Sequence, residues 1–151
     1  MIRQRLSDAL KEAMKAKDET ATSALRLILA ALKDRDIAQR SKDAGTEVSD
    51  EDILGLLQSM IKQRRESIEM YEKGGRTELA EQEQREIDII EGFLPEQMSD
   101  DDVTAAIDAA IAEVGAASIK DMGKVMAALK AAHAGTMDFS RASQLVKEKL
   151  L

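Results

Sequence analysis

Between Ile53 and Tyr71 the chain sets Ile53, Leu56, Leu57, Met60, Ile61, Ile68 and Tyr71 at intervals of three and four residues, and two adjacent glycines, Gly74 and Gly75, follow. That spacing lays the apolar side chains on one face of an α-helix. The helix runs for about 25 residues, roughly 37 Å at 1.5 Å per residue. Ser49 and Asp52, just ahead of the run, have the form of a capping box with an acidic partner. The glycines stop the helix, because glycine takes the left-handed conformation without a steric penalty. A second stripe then begins: Leu79, Ile87, Ile90 and Leu94, with Ile89 alongside. Its first half, AEQEQRE, is almost entirely polar and needs a neighbour to hold it. A Gly-Gly connection makes the two helices antiparallel partners, so a long helical hairpin is expected. Pro95 is expected to end the second of them, because it disfavours helical geometry at Leu94 and has no amide proton.

The remaining stripes are also helical. Ile2, Leu6, Leu10, Ala13 and Met14 mark a short first helix ending near Lys17, and Ala24, Leu25, Ile28, Leu29, Leu32 and Ile37 mark a longer second one. Lys33, Arg35 and Arg40 gather toward its end, where cations favour the helix dipole. Residues 41–48 have no period and read as a loop around Gly45. Beyond Pro95, Ser99 with Asp102 opens a helix closed by Gly115, Ser118 with Asp121 opens another closed by Gly135, and Asp138 caps a last one through Phe139, Ala142, Leu145, Val146 and Leu150. Apolar positions go to Ala, Leu, Ile and Met, and the aromatics are only Tyr71, Phe93 and Phe139. Such a choice favours helices over sheets. The expected fold is all-α: an N-terminal helical domain, residues 1–94, containing the hairpin, and a C-terminal three-helix bundle, residues 95–151.

Several functions are excluded or made remote. With no cysteine there is no disulfide, thiolate nucleophile or cysteine-ligated metal. The start, MIRQRLSDALKEAM, alternates charge with apolar residues rather than forming a secretory signal, and no apolar stretch is long enough to cross a bilayer. A cytoplasmic protein with no membrane contact is expected. A net charge of −7 argues against indiscriminate binding to nucleic acid, so DNA is not an expected partner.

The charge is unevenly spread. Residues 96–117 hold six acidic and no basic side chains, whereas residues 118–151 hold six basic and three acidic ones. The last two helices are the basic surface of an acidic chain, and Lys120, Lys124, Lys130, His133, Arg141 and Lys147 are candidates for meeting phosphates. The plain alternative is a solvated helix face. Gly123 is unusual because glycine inside a helix costs about 1 kcal/mol relative to alanine; either close helix packing or close approach of an RNA backbone would offset that. His133, in a last turn, suits capping or packing better than catalysis, lacking an evident acid or nucleophile partner. Asp100–Asp102 suit a helix N-terminus better than a metal site. No cofactor is expected.

The Leu94-Pro95-Glu96-Gln97 junction, the acidic helix start after Ser99, the run Asp121-Met122-Gly123-Lys124-Val125-Met126, the turn at His133-Ala134-Gly135 and the closing Leu145-Val146-Lys147 resemble the GatB/YqeY family. ALRLILAALKD at 24–34 and SIEMYEKGGRTELAEQE at 67–83 extend the resemblance to the stand-alone YqeY type over essentially the whole chain. The resemblance implies a C-terminal domain similar to the tail of the B subunit of the tRNA-dependent amidotransferase. That tail contacts tRNA while the catalytic domains lie elsewhere. A non-catalytic, tRNA-associated accessory module is therefore expected, using Lys120, Gly123, Lys124, Lys130, His133, Arg141 and Lys147. A protein-interaction module without nucleic-acid binding is the alternative. The family's association with glutamine-dependent carbon–nitrogen ligases finds no catalytic constellation in this sequence.

Overall fold

The computed structural model describes residues 1–43, 45 and 47–151, so two positions of the loop expected at 41–48 lie outside the described residues. The elements are α1 (Ile2–Lys15), α2 (Glu19–Lys42), α3 (Asp50–Lys73), α4 (Thr77–Glu91), α5 (Asp100–Val114), a single 3-10 turn (Ile119–Asp121), α6 (Met122–His133) and α7 (Phe139–Leu150). Among the described residues there is no strand, and the fold is all-α. Two compact units form, Met1–Leu94 and Pro95–Leu151.

In the first unit the α3–α4 hairpin packs with α1 and α2 around Leu6, Ile28, Ile53, Leu57, Ile87 and Ile90, all essentially removed from solvent. Ser49 caps α3, its hydroxyl accepting the Asp52 amide at 3.2 Å. The polar first half of α4 finds its partner in Arg64 of α3, whose Nε lies 3.1 Å from Glu86 and 3.9 Å from Glu83 while its Nη1 donates to the Met60 carbonyl. Burial, with the Glu86 charge beside it, pushes the Glu83 carboxyl above its ordinary value. Tyr71 stands half-buried on the last turns of α3, and its carbonyl accepts the Arg76 amide at 2.7 Å as the chain reverses.

Two helix ends differ from expectation. α2 continues to Lys42, about two residues beyond the expected end. α4 stops at Glu91, well before Pro95: the Gly92, Phe93 and Leu94 amides bond three residues back instead of four. The Gly92 carbonyl is taken by Arg5 of α1 at 3.1 Å, and the same guanidinium sits 5.4 Å from the centre of the Phe93 ring. The Leu94 amide takes the Glu91 carbonyl, the acceptor that Pro95, having no amide proton, leaves open, and the Arg5 contact adds a partner from α1 at this end. At the end of α1, Lys17 adopts φ +57° and the Asp18 amide reaches back to the Ala13 carbonyl. This is a left-handed helix stop built on a non-glycine residue.

One polar network ties the unit together across long sequence distances. Arg3 of α1 grips Asp36 of α2 with two hydrogen bonds of 2.6 and 2.7 Å and also donates to the Val48 carbonyl, while the Val48 amide donates to Asp36 at 3.1 Å. The Arg3 guanidinium, reinforced by the Val48 amide, holds the Asp36 carboxyl down to about 2.

The second unit packs α5, α6 and α7 around Ile107, Val125, Leu129, Ala142 and Val146. Its leading segment is stitched to the α6–α7 turn: the Met98 amide donates to the Thr136 carbonyl and Gln97 Nε2 to the Gly135 carbonyl. Gly115 closes α5 at φ +67°, a conformation that penalises a Cβ.

Candidate nucleic-acid interface

The segment entering α6 is fixed by a full capping box. Asp121 Oδ2 accepts the amides of Ala117 at 3.0 Å and Ser118 at 3.4 Å. Those two bonds, helped by the nearby Lys124 ammonium, hold the Asp121 carboxyl below its ordinary value. The first turn this box organises is 3-10, and α6 proper begins only at Met122. Lys120 is exposed in that turn and Lys124 in the first turn of α6.

At 100° per residue, α6 buries Val125 and Leu129 and turns Gly123, Ala127 and Ala131 toward solvent. Lys124 lies on one flank of this small-residue strip and Lys130 on the other. Gly123 is not held by helix packing, since a Cβ built there meets no heavy atom within 4 Å. Close helix packing, one of the two explanations for this glycine, is thereby removed.

α7 buries Ala142, Val146 and Leu150. Arg141 and Lys149 sit on one side of that stripe and reach the acids of α5: Arg141 Nη1 lies 3.2 Å from Asp100, and Lys149 Nζ 2.6 Å from Asp108. Lys147 projects from the opposite side and is exposed. The candidate set thus divides. Lys120, Lys124, Lys130 and Lys147 carry no ion pair among the described residues, whereas Arg141 is already engaged with a carboxylate. That pair is 62% and 79% exposed at its two side chains, the kind worth at most about 1 kcal/mol.

His133 is half-buried at the end of α6, where its carbonyl, not its ring, is the bonded group: it accepts both the amide and the hydroxyl of Thr136. Of the capping or packing expected of His133, the carbonyl is capped by Thr136, three residues on, and the ring is half-buried. Asp100–Asp102 form a helix start, with the Ser99 hydroxyl accepting the Asp102 amide at 3.1 Å. Among the described residues, no group of three or more histidine, aspartate or glutamate side chains is placed to hold a metal ion, and no helix is long and apolar enough to cross a membrane.

Against known proteins, the family described as Yqey-like protein matches residues 3–150. Among individual relatives, the protein named altered inheritance of mitochondria protein 41, mitochondrial, is 34% identical in Eremothecium gossypii over 59% of this chain and 46% of its own length. The protein of the same name in Lachancea thermotolerans is 38% identical over the same shares of the two chains. An uncharacterized protein of Schizosaccharomyces pombe is 32% identical over 66% of this chain and 73% of its own. The chain thus aligns to about half the length of the first two. Their names overturn the expectation of a cytoplasmic protein: both are described as mitochondrial.

Proposed function

We propose, starting from the fact that this chain belongs to the YqeY-like family, that it is a non-catalytic accessory module binding tRNA through the backbone phosphates. In this reading residues 95–151 form the RNA-facing domain and residues 1–94 a separate helical domain. The observation that carries the reading is the sorting of cations in the second unit. Arg141 and Lys149 are drawn to α5 carboxylates, while among the described residues Lys120, Lys124, Lys130 and Lys147 form no direct ion pair, Lys124 standing near the Asp121 carboxyl without contacting it. Phosphates are the groups that such ammonium ions meet in nucleic-acid binding. The exposed strip of Gly123, Ala127 and Ala131 between Lys124 and Lys130 lets a sugar–phosphate backbone come close to the helix. The resemblance to the tRNA-contacting tail of the amidotransferase B subunit supports the same reading.

The test is a filter-binding titration of bulk tRNA. Four phosphate contacts, at a slope of about −0.7 to −0.9 per contact, lower the affinity by roughly 100-fold between about 50 and about 200 mM salt. Lys124→Glu combined with Lys130→Glu removes most of the binding and flattens the salt slope. No saturable binding at low salt refutes the proposal, as does binding that these reversals leave unchanged.

A further inference from the structure

The outward face of α2 is a second, independent surface. The helix buries Ala24, Leu25, Ile28 and Leu32, yet apolar residues stand on its other side as well. Leu27 is 50% and Ile37 52% exposed, and Met14, at the adjoining end of α1, is 51% exposed. Among the described residues, besides the two chain termini, only Met70 and Ile119 are also large, apolar and exposed, so three of the five gather on this face. Leu27, Ala30, Asp34 and Ile37 follow the alternating three- and four-residue spacing of a heptad seam.

Beside this seam, Arg26, Lys33 and Arg40 recur every seven residues, about 10.5 Å apart along the axis, and only the first turn of α2 carries an acid, Glu19, in the same register. They occupy the flanking position that selects partner charge in coiled coils. None of the three forms an ion pair among the described residues: Arg26 reaches only the Met14 sulfur, at 4.0 Å, and Arg40 is felt by Asp36 without contacting it closely. At the helix start, Met14, Lys17, Thr22, Ser23, Arg26 and Leu27, with the carboxylate Glu19 among them, line a groove of about 630 Å³ beside the first turns of the seam.

We propose that this face docks an acidic amphipathic helix of another protein. That helix places its apolar stripe on Leu27, Ala30 and Ile37 and its carboxylates against Arg26, Lys33 and Arg40. A second copy of this chain is the wrong occupant. An antiparallel self-pairing sets the three cations against one another. A parallel one offers them only Ala31 and Ala38 at the opposing flank, with buried Ala24 before them. Asp34, inside the seam, requires a basic or amide residue opposite and fixes the register.

The probe is a fluorescently labelled 21-residue synthetic helix with leucine in its seam, one asparagine opposite Asp34 and glutamate at both flanking positions. A control peptide carries lysine at those flanks. By fluorescence anisotropy with the full chain, the acidic peptide binds at least about tenfold more tightly than the basic one. The triple variant Arg26→Glu, Lys33→Glu, Arg40→Glu inverts that preference. Leu27→Ser with Ile37→Ser weakens both peptides, and circular dichroism shows that each variant keeps its helix content. The proposal is overturned if the two peptides bind alike, if neither binds, if the triple variant keeps the wild-type preference, or if the face sediments with phosphatidylserine vesicles while ignoring the acidic peptide.

Discussion

Replacing Asp36 by asparagine removes one charge from the Arg3 network while keeping the shape of the side chain. Its carboxyl sits at about 2 against an ordinary 3.8; at about 1.4 kcal/mol per unit the charged contact stabilises the fold by at most about 2.5 kcal/mol. The Asp36 side chain is 14% and Arg3 29% exposed, so solvent screening reduces this to about 1–2 kcal/mol. The cost stays below the 3–5 kcal/mol of stranding a fully buried charge, because Arg3 keeps the Val48 carbonyl at 3.0 Å and Glu47 at 3.6 Å. For a unit of this size, about 1 kcal/mol moves the melting temperature by about 4–8 °C. Thermal unfolding by circular dichroism near pH 7 should therefore show Asp36→Asn melting roughly 4–16 °C below wild type. The sign with pH follows from a depressed carboxyl: its stabilisation is complete above the unfolded value of 3.8 and is lost as pH falls through about 2. The gap between the two proteins must narrow from about pH 5 downward and close by about pH 1, below both values. Equal melting temperatures at neutral pH, or a gap undiminished on acidification to about pH 1, refute the reasoning. A double-mutant cycle with Arg3→Met isolates the pairwise part.

Glycine substitutions should split by sign. Gly55 and Gly123 lie in helices with nothing within 4 Å of a built Cβ, so Gly55→Ala and Gly123→Ala stabilise by about 0.5–1 kcal/mol. Gly115→Ala, at φ +67°, costs about 1–2 kcal/mol; denaturant midpoints measure all three. Gly123→Ala also weakens tRNA binding in the filter assay if the small-residue strip is where the backbone approaches. At Lys17, φ +57°, Lys17→Val lowers stability by about 1 kcal/mol or more, because a β-branched side chain is crowded in left-handed backbone. A melting temperature unchanged by Lys17→Val would show that this turn relaxes freely.

Local signals carried most of the architecture. Ile53 to Tyr71 followed by Gly74-Gly75 is enough to write down the hairpin, because periodicity and chain reversal are properties of neighbouring residues. Ser49, Ser99 and Asp138 announced their helices for the same reason, and all three accept a backbone amide. Contacts that join distant residues left no such trace. Arg3 and Asp36 are 33 positions apart and look in sequence like any other surface charges. The thin stripe of α4 became intelligible only through Arg64, whose pairing with Glu86 no local pattern reveals. The candidate interface suffered in the same way: segment charge pointed to the last two helices, but nothing local distinguished Arg141, paired with Asp100, from Lys147, which pairs with no acid among the described residues.

The half-buried Tyr71 beside the hairpin turn also makes the first unit its own optical reporter. The chain contains no tryptophan and no other tyrosine, so intrinsic tyrosine emission comes only from the first unit, and the second contributes no more than Phe139. Emission thus follows the opening of the hairpin, while far-ultraviolet dichroism follows every helix at once. Where the two curves part company during unfolding, the difference is the second unit, read without a label.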